Sequence, residues 1–389
     1  MTAHTGIARL HVASANSIDA AMVEPPILLP IPQVSPGAER FPDVPVDAGA
    51  AIGRVWTPLK GVHMSLRFIG GALAFACLAV LAPSAAATPP GRNGLIAWQQ
   101  ESRTTPPHMW VANPDGSAAR EVFADAPSEG EFDVTLSPTD PNLAFFSAFF
   151  GGPFSEDIYS GNLTTGAVTR VTTANSADLA PTVSPDGTKI AYFGVRRPRN
   201  INREGPPPPE RIRVANLDGS GDRALTPRKQ RSVDPDWSPD GTRMVYAQVR
   251  LVGPRQQRAQ NRLVVMNADG SGRRPITAFG GPSEINPKWM PDGQTILFEQ
   301  LRRRDADVLA MSPNGGAARR ILATDAWETN PVPSPDGTRV VFTSDRDRPG
   351  PDRLGRGFEV YTMALDGSDI VRLTNNRKVD IWPDWQRLP

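Results

Sequence analysis

The sequence predicts an all-β fold: a six-bladed β-propeller of four-stranded antiparallel blades, closed by its own C-terminal strand. Three observations carry this. A Ser-Pro-Asp-Gly-type turn recurs about every fifty residues, at Ser184, Ser238, Met290 and Ser334. An apolar-x-aromatic run follows each occurrence. A second turn, of the type "NLDG" or "NADG", lies between successive occurrences of the first.

The first turn has a local rationale. Proline fixes φ ahead of the bend, aspartate hydrogen-bonds the backbone beyond it, and glycine takes the positive φ. The run behind the turn places an apolar residue at Ile96, Leu143, Ile190, Met244, Ile296 and Val340. Two residues later it places an aromatic, at Trp98, Phe145, Tyr192, Tyr246, Phe298 and Phe342. A spacing of two puts each pair on one sheet face, which a neighbouring sheet must cover. The second turn falls at Asp115-Gly116, Thr165-Gly166, Asp218-Gly219, Asp269-Gly270, Asn314-Gly315 and Asp366-Gly367, followed in three units by a run ending "LT" or "IT". Asp-Gly between apolar residues is a strong hairpin signal. Each unit is therefore two hairpins, and six such units make blades around an axis.

The ends of the chain predict closure. The first unit begins at "GLIAWQQ" without an innermost strand, and the chain finishes on "DIWPDWQRLP", an innermost strand without a partner. Trp385 aligns with Trp237 and Trp289. The last strand is thus expected to complete the first blade and remove the open edge.

Composition agrees with many short strands. The 389 residues include 41 prolines and 34 glycines, and the net charge of +1 names no partner. The one cysteine, Cys77, excludes an intrachain disulfide and a cysteine-based zinc site. The histidines are His4, His11, His63 and His108, so a histidine-dependent active site is hard to assemble in the propeller.

Upstream, "MSLRFIGGALAFACLAVLAPSAAATPPG" reads as an export signal. Arg67 gives a basic start, Phe68 to Ala82 an apolar stretch, and Ala85-Ala86-Ala87 a small-residue cleavage site. The expected organisation is an over-extended start or disordered leader over 1–63, a signal peptide over 64–87, a short linker over 88–93, and the propeller over 94–389. The expected location is periplasmic or secreted, with no stable membrane span in the mature chain.

The pattern D-x-x-P-x-W-S-P-D-G-T, followed by apolar and aromatic positions and then "NADGSG", resembles the repeat of the TolB-like propeller family over most of 94–389. TolB itself carries an additional N-terminal α/β domain, for which the segment between signal and first blade leaves little room. The resemblance implies the six-bladed fold and a role in protein interaction. Related propellers also occur in hydrolases and lyases. Here a G-x-S-x-G elbow is missing and "DGSGDR" at Asp218 is a hairpin turn, so a non-catalytic role is expected. The alternative is a carbohydrate-active or hydrolytic propeller enzyme, a lyase or hydrolase, using channel-mouth carboxylates.

Two candidate binding regions follow from the repeat. Glu131, Asp178, Glu284, Glu328 and Asp380 begin the innermost strands, Ser232 taking the sixth position. Asp133, Asp234, Asn286 and Asn330 stand two residues further on, with Ala180 and Trp382. Rotation brings these groups together at a channel mouth. Local backbone capping explains them equally well. No cofactor is expected; if a cation bound there, oxygen ligands would favour calcium over zinc. The long loops supply Arg196, Arg197, Arg302, Arg303, Arg304 and Arg346, a rim suited to an acidic protein or an anionic envelope polymer. Nucleic acid is not expected, and a monomer is.

Overall fold

The computed structural model describes residues 91–388 except 103–105, 125–129, 150–155, 197–207, 254–257, 303–304 and 348–356. The leader, the signal segment, Arg197, Arg303 and Arg304 lie outside the described residues. Twenty-four strands form six four-stranded antiparallel sheets, with no helix among the described residues. In chain order the blades occupy residues 131–170, 176–224, 231–275, 283–322 and 328–372 as blades 2 to 6. Blade 1 combines 92–122 with the C-terminal strand Val379–Leu388.

Closure takes the form the sequence predicts. The strand Val379–Leu388 pairs antiparallel with Arg92–Glu101, with Trp385 opposite Ile96 and Asp380 opposite Gln100. Trp385 and Trp98 are buried in one cluster with Ile96, Val341 and Val360, which joins blade 1 to blade 6. At the same seam Asn93 Nδ2 donates to Asp336 Oδ2 at 2.9 Å, and the Gly91 amide donates to the Pro335 carbonyl.

One register differs from the sequence reading. In blade 2 the inner strand pairs Leu136 with Ala144, whereas blade 3 pairs Val183 with Ile190. The Ser137 amide reaches the Leu143 carbonyl, while Ser184 reaches Lys189 and Ser238 reaches Arg243. The "SPTDPN" turn therefore holds one residue more than "SPDGT". The signature pair of blade 2 is Ala144 and Phe146, not Leu143 and Phe145. Phe146 stacks on Phe123 and Tyr159, with centroids 4.9 and 6.3 Å away.

The second turns explain both their glycine and the "LT" run. Gly219, at φ 82°, lies against the Val171 carbonyl of the preceding blade. Gly116, Gly270, Gly315 and Gly367 meet the carbonyls of Leu373, Leu225, Ile276 and Ile321 in the same way. A Cβ would strike backbone at Gly219, Gly270 and Gly367 and crowd it at Gly116 and Gly315, so glycine serves space there as well as φ. Gly166 alone of the six has no neighbour within 4 Å of that place. The threonine after the carbonyl holds the link from inside. Thr172, Thr226, Thr277 and Thr374 Oγ1 accept from the amides of Ile158, Ile212, Leu263 and Val360 at 2.8–3.0 Å.

Candidate functional site

The acids that begin the inner strands lie in the interior of the blade links. Glu131, Asp178, Glu328 and Asp380 are fully buried, and Glu284 is half-buried. The link threonine donates to the acid that follows it, from Thr172 to Asp178, Thr277 to Glu284 and Thr374 to Asp380. Thr324 donates to Glu328 Oε1 at 2.7 Å, and Asp380 Oδ1 also accepts from Trp98 Nε1 and Gln100 Nε2. Burial raises the carboxyls of Asp178, to about 6, and of Glu284 and Asp380. These groups tie each link to the strand it feeds.

The residues two positions further share an unusual conformation. Asp133, Ala180, Asp234, Asn286, Asn330 and Trp382 all take φ between 48° and 55°. Each sits in a bulge where two inner-strand residues oppose one aromatic. Asp234 and Pro235 lie between the pairs Val233–Ala247 and Asp236–Val245, facing Tyr246. The same interruption recurs in all six blades. Aspartate and asparagine tolerate this left-handed region best after glycine. Five bulges place proline next, at Pro181, Pro235, Pro287, Pro331 and Pro383, where the broken ladder leaves no call for an N–H.

The bulge residues connect neighbouring blades around the axis. The Ala180 amide donates to Ser147 Oγ and to the Asp133 carboxylate, and the Asn286 amide to Asp234. The Asn330 amide reaches Glu299 Oε2 at 2.8 Å. Burial, the leading cause in each case, raises Asp133, Asp234 and Glu299 to about 7. Asp234 is raised further by the charges of Asp133 and Glu299.

Beyond the bulge, one ring of side chains comes from all six blades: Thr135, Thr182, Asp236, Lys288, Val332 and Asp384. With Trp237, Trp289, Trp385 and prolines of the first turns, it lines a cavity of about 170 Å³ on the axis, at the rim of those turns. Asp236 Oδ2 accepts from the Trp289 amide at 2.8 Å and Asp384 Oδ2 from the Leu136 amide at 2.7 Å, so each spans to the next blade. Lys288 Nζ is 3.7 Å from Asp236 Oδ1. Burial raises both aspartates, and the Lys288 charge opposes it. Arg243 lies 4.7 Å over the Trp289 ring.

Sequence reasoning missed this ring, although its signal was present as the variable residue between proline and tryptophan in "PDW", "PKW" and "PDW". The arginine rim is only partly described. Arg196 is exposed at a strand end. Arg302 pairs with Asp307 at 2.9 Å. Arg346 turns inward, 2.9 Å from Glu328 Oε2 and over the rings of Phe342 and Tyr361. Among the described residues no group of three or more His, Cys, Asp or Glu side chains is placed to hold a metal ion. No helix there is long and apolar enough to cross a membrane.

Comparison with known proteins agrees with this architecture. Residues 202–387 match the family described as the TolB beta propeller domain. The chain is 31% identical over 158 residues to the Tol-Pal system protein TolB of Bordetella pertussis, covering 41% of this chain and 33% of that one. It is 30% identical over 108 residues to Dipeptidyl-peptidase 5 of Porphyromonas endodontalis, covering 28% and 15%. The chain thus spans a third or less of the length of these relatives. Among solved structures, TolB from Acinetobacter baumannii superposes with a TM-score of 0.57 at 20% identity, over 76% of this chain and 67% of that one. Residues 202–387 thus match the TolB beta propeller domain, within a chain whose described residues form a six-bladed β-propeller.

Proposed function

We propose that the protein is an exported, periplasmic or secreted, non-catalytic interaction module of the cell envelope. In this reading it acts as a monomer and receives a partner protein on the axis at the turn rim. The observation that carries the proposal is the axial cavity. Its 170 Å³ is below the roughly 300–1,000 Å³ of ordinary small-molecule sites. It has room for one side chain of a docked surface, set among three tryptophans and the charged groups of Asp236, Lys288 and Asp384. A tryptophan-walled socket with a few convergent charges is the kind of place where interface anchors seat. The alternative rim of long-loop arginines, which would suit an anionic polymer, has Arg302 and Arg346 already paired with carboxylates.

A photo-crosslinking residue at Val332, in the cavity wall, tests this against one at the exposed Val371 on the outer edge of blade 6. An envelope-protein adduct specific to position 332 supports the axial reading. Adducts confined to a probe at Arg302 would move the site to the loop rim. Glycan turnover abolished by Asp236→Asn would make the protein an enzyme.

A further inference from the structure

Among the described residues, blade 4 carries a longer hairpin than the other blades. Its third strand, Arg258–Asn267, has ten residues, against five to seven in the other five blades. The outer strand Arg274–Pro275 pairs only with Val264 and Val265. The stretch from Arg258 to Arg262 is therefore a sheet edge. Leu263 turns its amide and carbonyl outward, to Thr277 Oγ1 and the Ile276 amide. By the period of two, Ala259 and Asn261 turn theirs the same way. The Asn261 amide meets Ser283 Oγ at 3.1 Å and Asn261 is buried, so the open part of this edge is the amide and carbonyl of the exposed Ala259.

The face beside this edge is basic. Gln248 pairs with Arg262 and Arg250 with Gln260, so all four side chains share one face of the hairpin. Arg250 and Arg262 both lie over the Phe279 ring, 4.5 and 4.4 Å from its centroid. Their hydrogen bonds go to neutral amides, Arg250 to Gln260 and Arg262 to Gln248. Between Val249 and Arg262 the sequence has four arginines and no acid. Other blades neutralise the equivalent charge. Asp157 pairs with Arg170, Asp307 with Arg302, and Glu359 with Arg372. Two guanidinium groups on one ring repel each other, and each keeps donors for an oxyanion. A lone edge is often guarded by charge against self-pairing. That protective role does not require two arginines fixed over one aromatic ring.

We propose that this edge accepts an extended acidic peptide as an added strand. Its backbone would pair with Ala259, and its same-face carboxylates would meet Arg250 and Arg262. Strand addition of this kind takes affinity from the main chain and selectivity from alternate side chains. The surface is separate from the axial cavity, and neither reading depends on the other.

The probe is fluorescein-labelled Glu-Val-Glu-Val-Glu-Val, followed by fluorescence anisotropy against the whole protein at low salt. Three comparisons decide the matter. The Arg250→Gln/Arg262→Gln protein should bind about tenfold or more weakly with an unchanged melting temperature. The glutamine-valine peptide should lose a similar factor, and so should a peptide N-methylated at alternate residues on its pairing edge. Saturable binding with all three losses supports strand addition. No binding below about 1 mM, full binding to the double variant, or full binding of the glutamine or N-methylated peptide overturns it. Equal competition by polygalacturonate with retained N-methyl binding would assign the arginines to a polymer instead.

Discussion

Replacing Asp133 with asparagine should stabilise the propeller, by an amount that grows as pH rises from about 4 to about 7. Asp133 is buried beside the axis and its carboxyl is raised to about 7, from an ordinary value of 3.8, mainly by burial. A carboxyl whose folded pKa lies above its unfolded one binds protons more tightly in the folded state. Its contribution is fully present below about pH 4 and is lost as pH rises through about 7. Each tenfold gain in proton affinity corresponds to about 1.4 kcal/mol, which makes the ionised group cost roughly 4 kcal/mol if it acts alone. Asp234 feels the charges of both Asp133 and Glu299. Neutralising Asp133 should therefore also ease Asp234, while their mutual repulsion keeps the effects from adding. The expected gain is about 2–4 kcal/mol at pH 8.5, roughly a third of that at pH 5, and close to zero only below about pH 4. In a domain this large, that is a rise of several degrees in melting temperature. Asparagine preserves the fold at this position: it tolerates positive φ, its oxygen accepts from Ala180, and Asn286 and Asn330 already occupy the equivalent places. The assay is calorimetry of wild type and variant at the two pH values. An equal shift at both, or a loss at pH 8.5, would refute burial of an ionisable group as the cause.

The other expectations can be measured on the same footing. Trp385→Ala should cost about 3–5 kcal/mol, as large core truncations do, because Trp385 is buried at the closing seam; denaturant melts check it, and a loss under 1 kcal/mol would mean the seam contributes little. Ala180→Asn should add about 0.5–1 kcal/mol by relieving a left-handed alanine at φ 51°, whereas Ala180→Val should destabilise. Gly219→Ala should cost more than Gly166→Ala: both have positive φ, but only at Gly219 does a Cβ meet backbone. Near-equal melting temperatures for these two would contradict the contact with Val171. Toward acid, the turn aspartates should lose stability below about pH 4. Asp218 is held low by its side-chain hydrogen bond from Ser220 and then by the Ser220 amide. Stability should therefore peak between the two regimes.

What could be read in the sequence was local. The Asp-Gly turns, the apolar-x-aromatic pairs and the complementary chain ends each follow from chemistry within a few residues, and the blades and their closure came with them. The blade 2 register was obscured because "SPTDPN" keeps the outward look of the repeat while holding one more residue. The inner-strand acids were placed at a channel mouth from rotation of the repeat alone. The bulge breaks the period-two alternation of these strands. It leaves Glu328 and Asp380 inside the links and brings Asp236, Lys288 and Asp384 to the axis. Its only sequence trace is an aspartate or asparagine ahead of proline, which fails at Ala180, at Trp382 and at Asp133, where Val134 follows. Contacts such as Glu299 with the Asn330 amide join different blades, and no local pattern encodes them.

A repeat also separates maintenance from function, because a residue required by the blade must recur in every blade. The turn glycines, the link threonines and the positive-φ bulges recur, and each has a structural cause in the contacts around it. The axial ring does not recur: two threonines, two aspartates, a lysine and a valine occupy six equivalent places on an otherwise repeated frame. Nor does the third-strand start, where His108, Asp157, Arg211, Arg262, Asp307 and Glu359 differ in charge. Most of these find a partner within their own blade. His108 stands 3.6 Å from Glu121, and Arg211 is bonded to the Thr226 carbonyl. Blade packing alone does not account for three charged groups around a small axial cavity, nor for two arginines over one phenylalanine. Burying charge beside the axis raises carboxyls that neutral threonine or valine would spare, as Thr135 and Val332 show at the same positions. A fold that keeps that cost at Asp236 and Asp384, while spanning each to the next blade, holds its charges in fixed positions on the axis. In the proposed reading, these fixed charges, in a socket too small for a whole substrate, serve recognition of a docked surface.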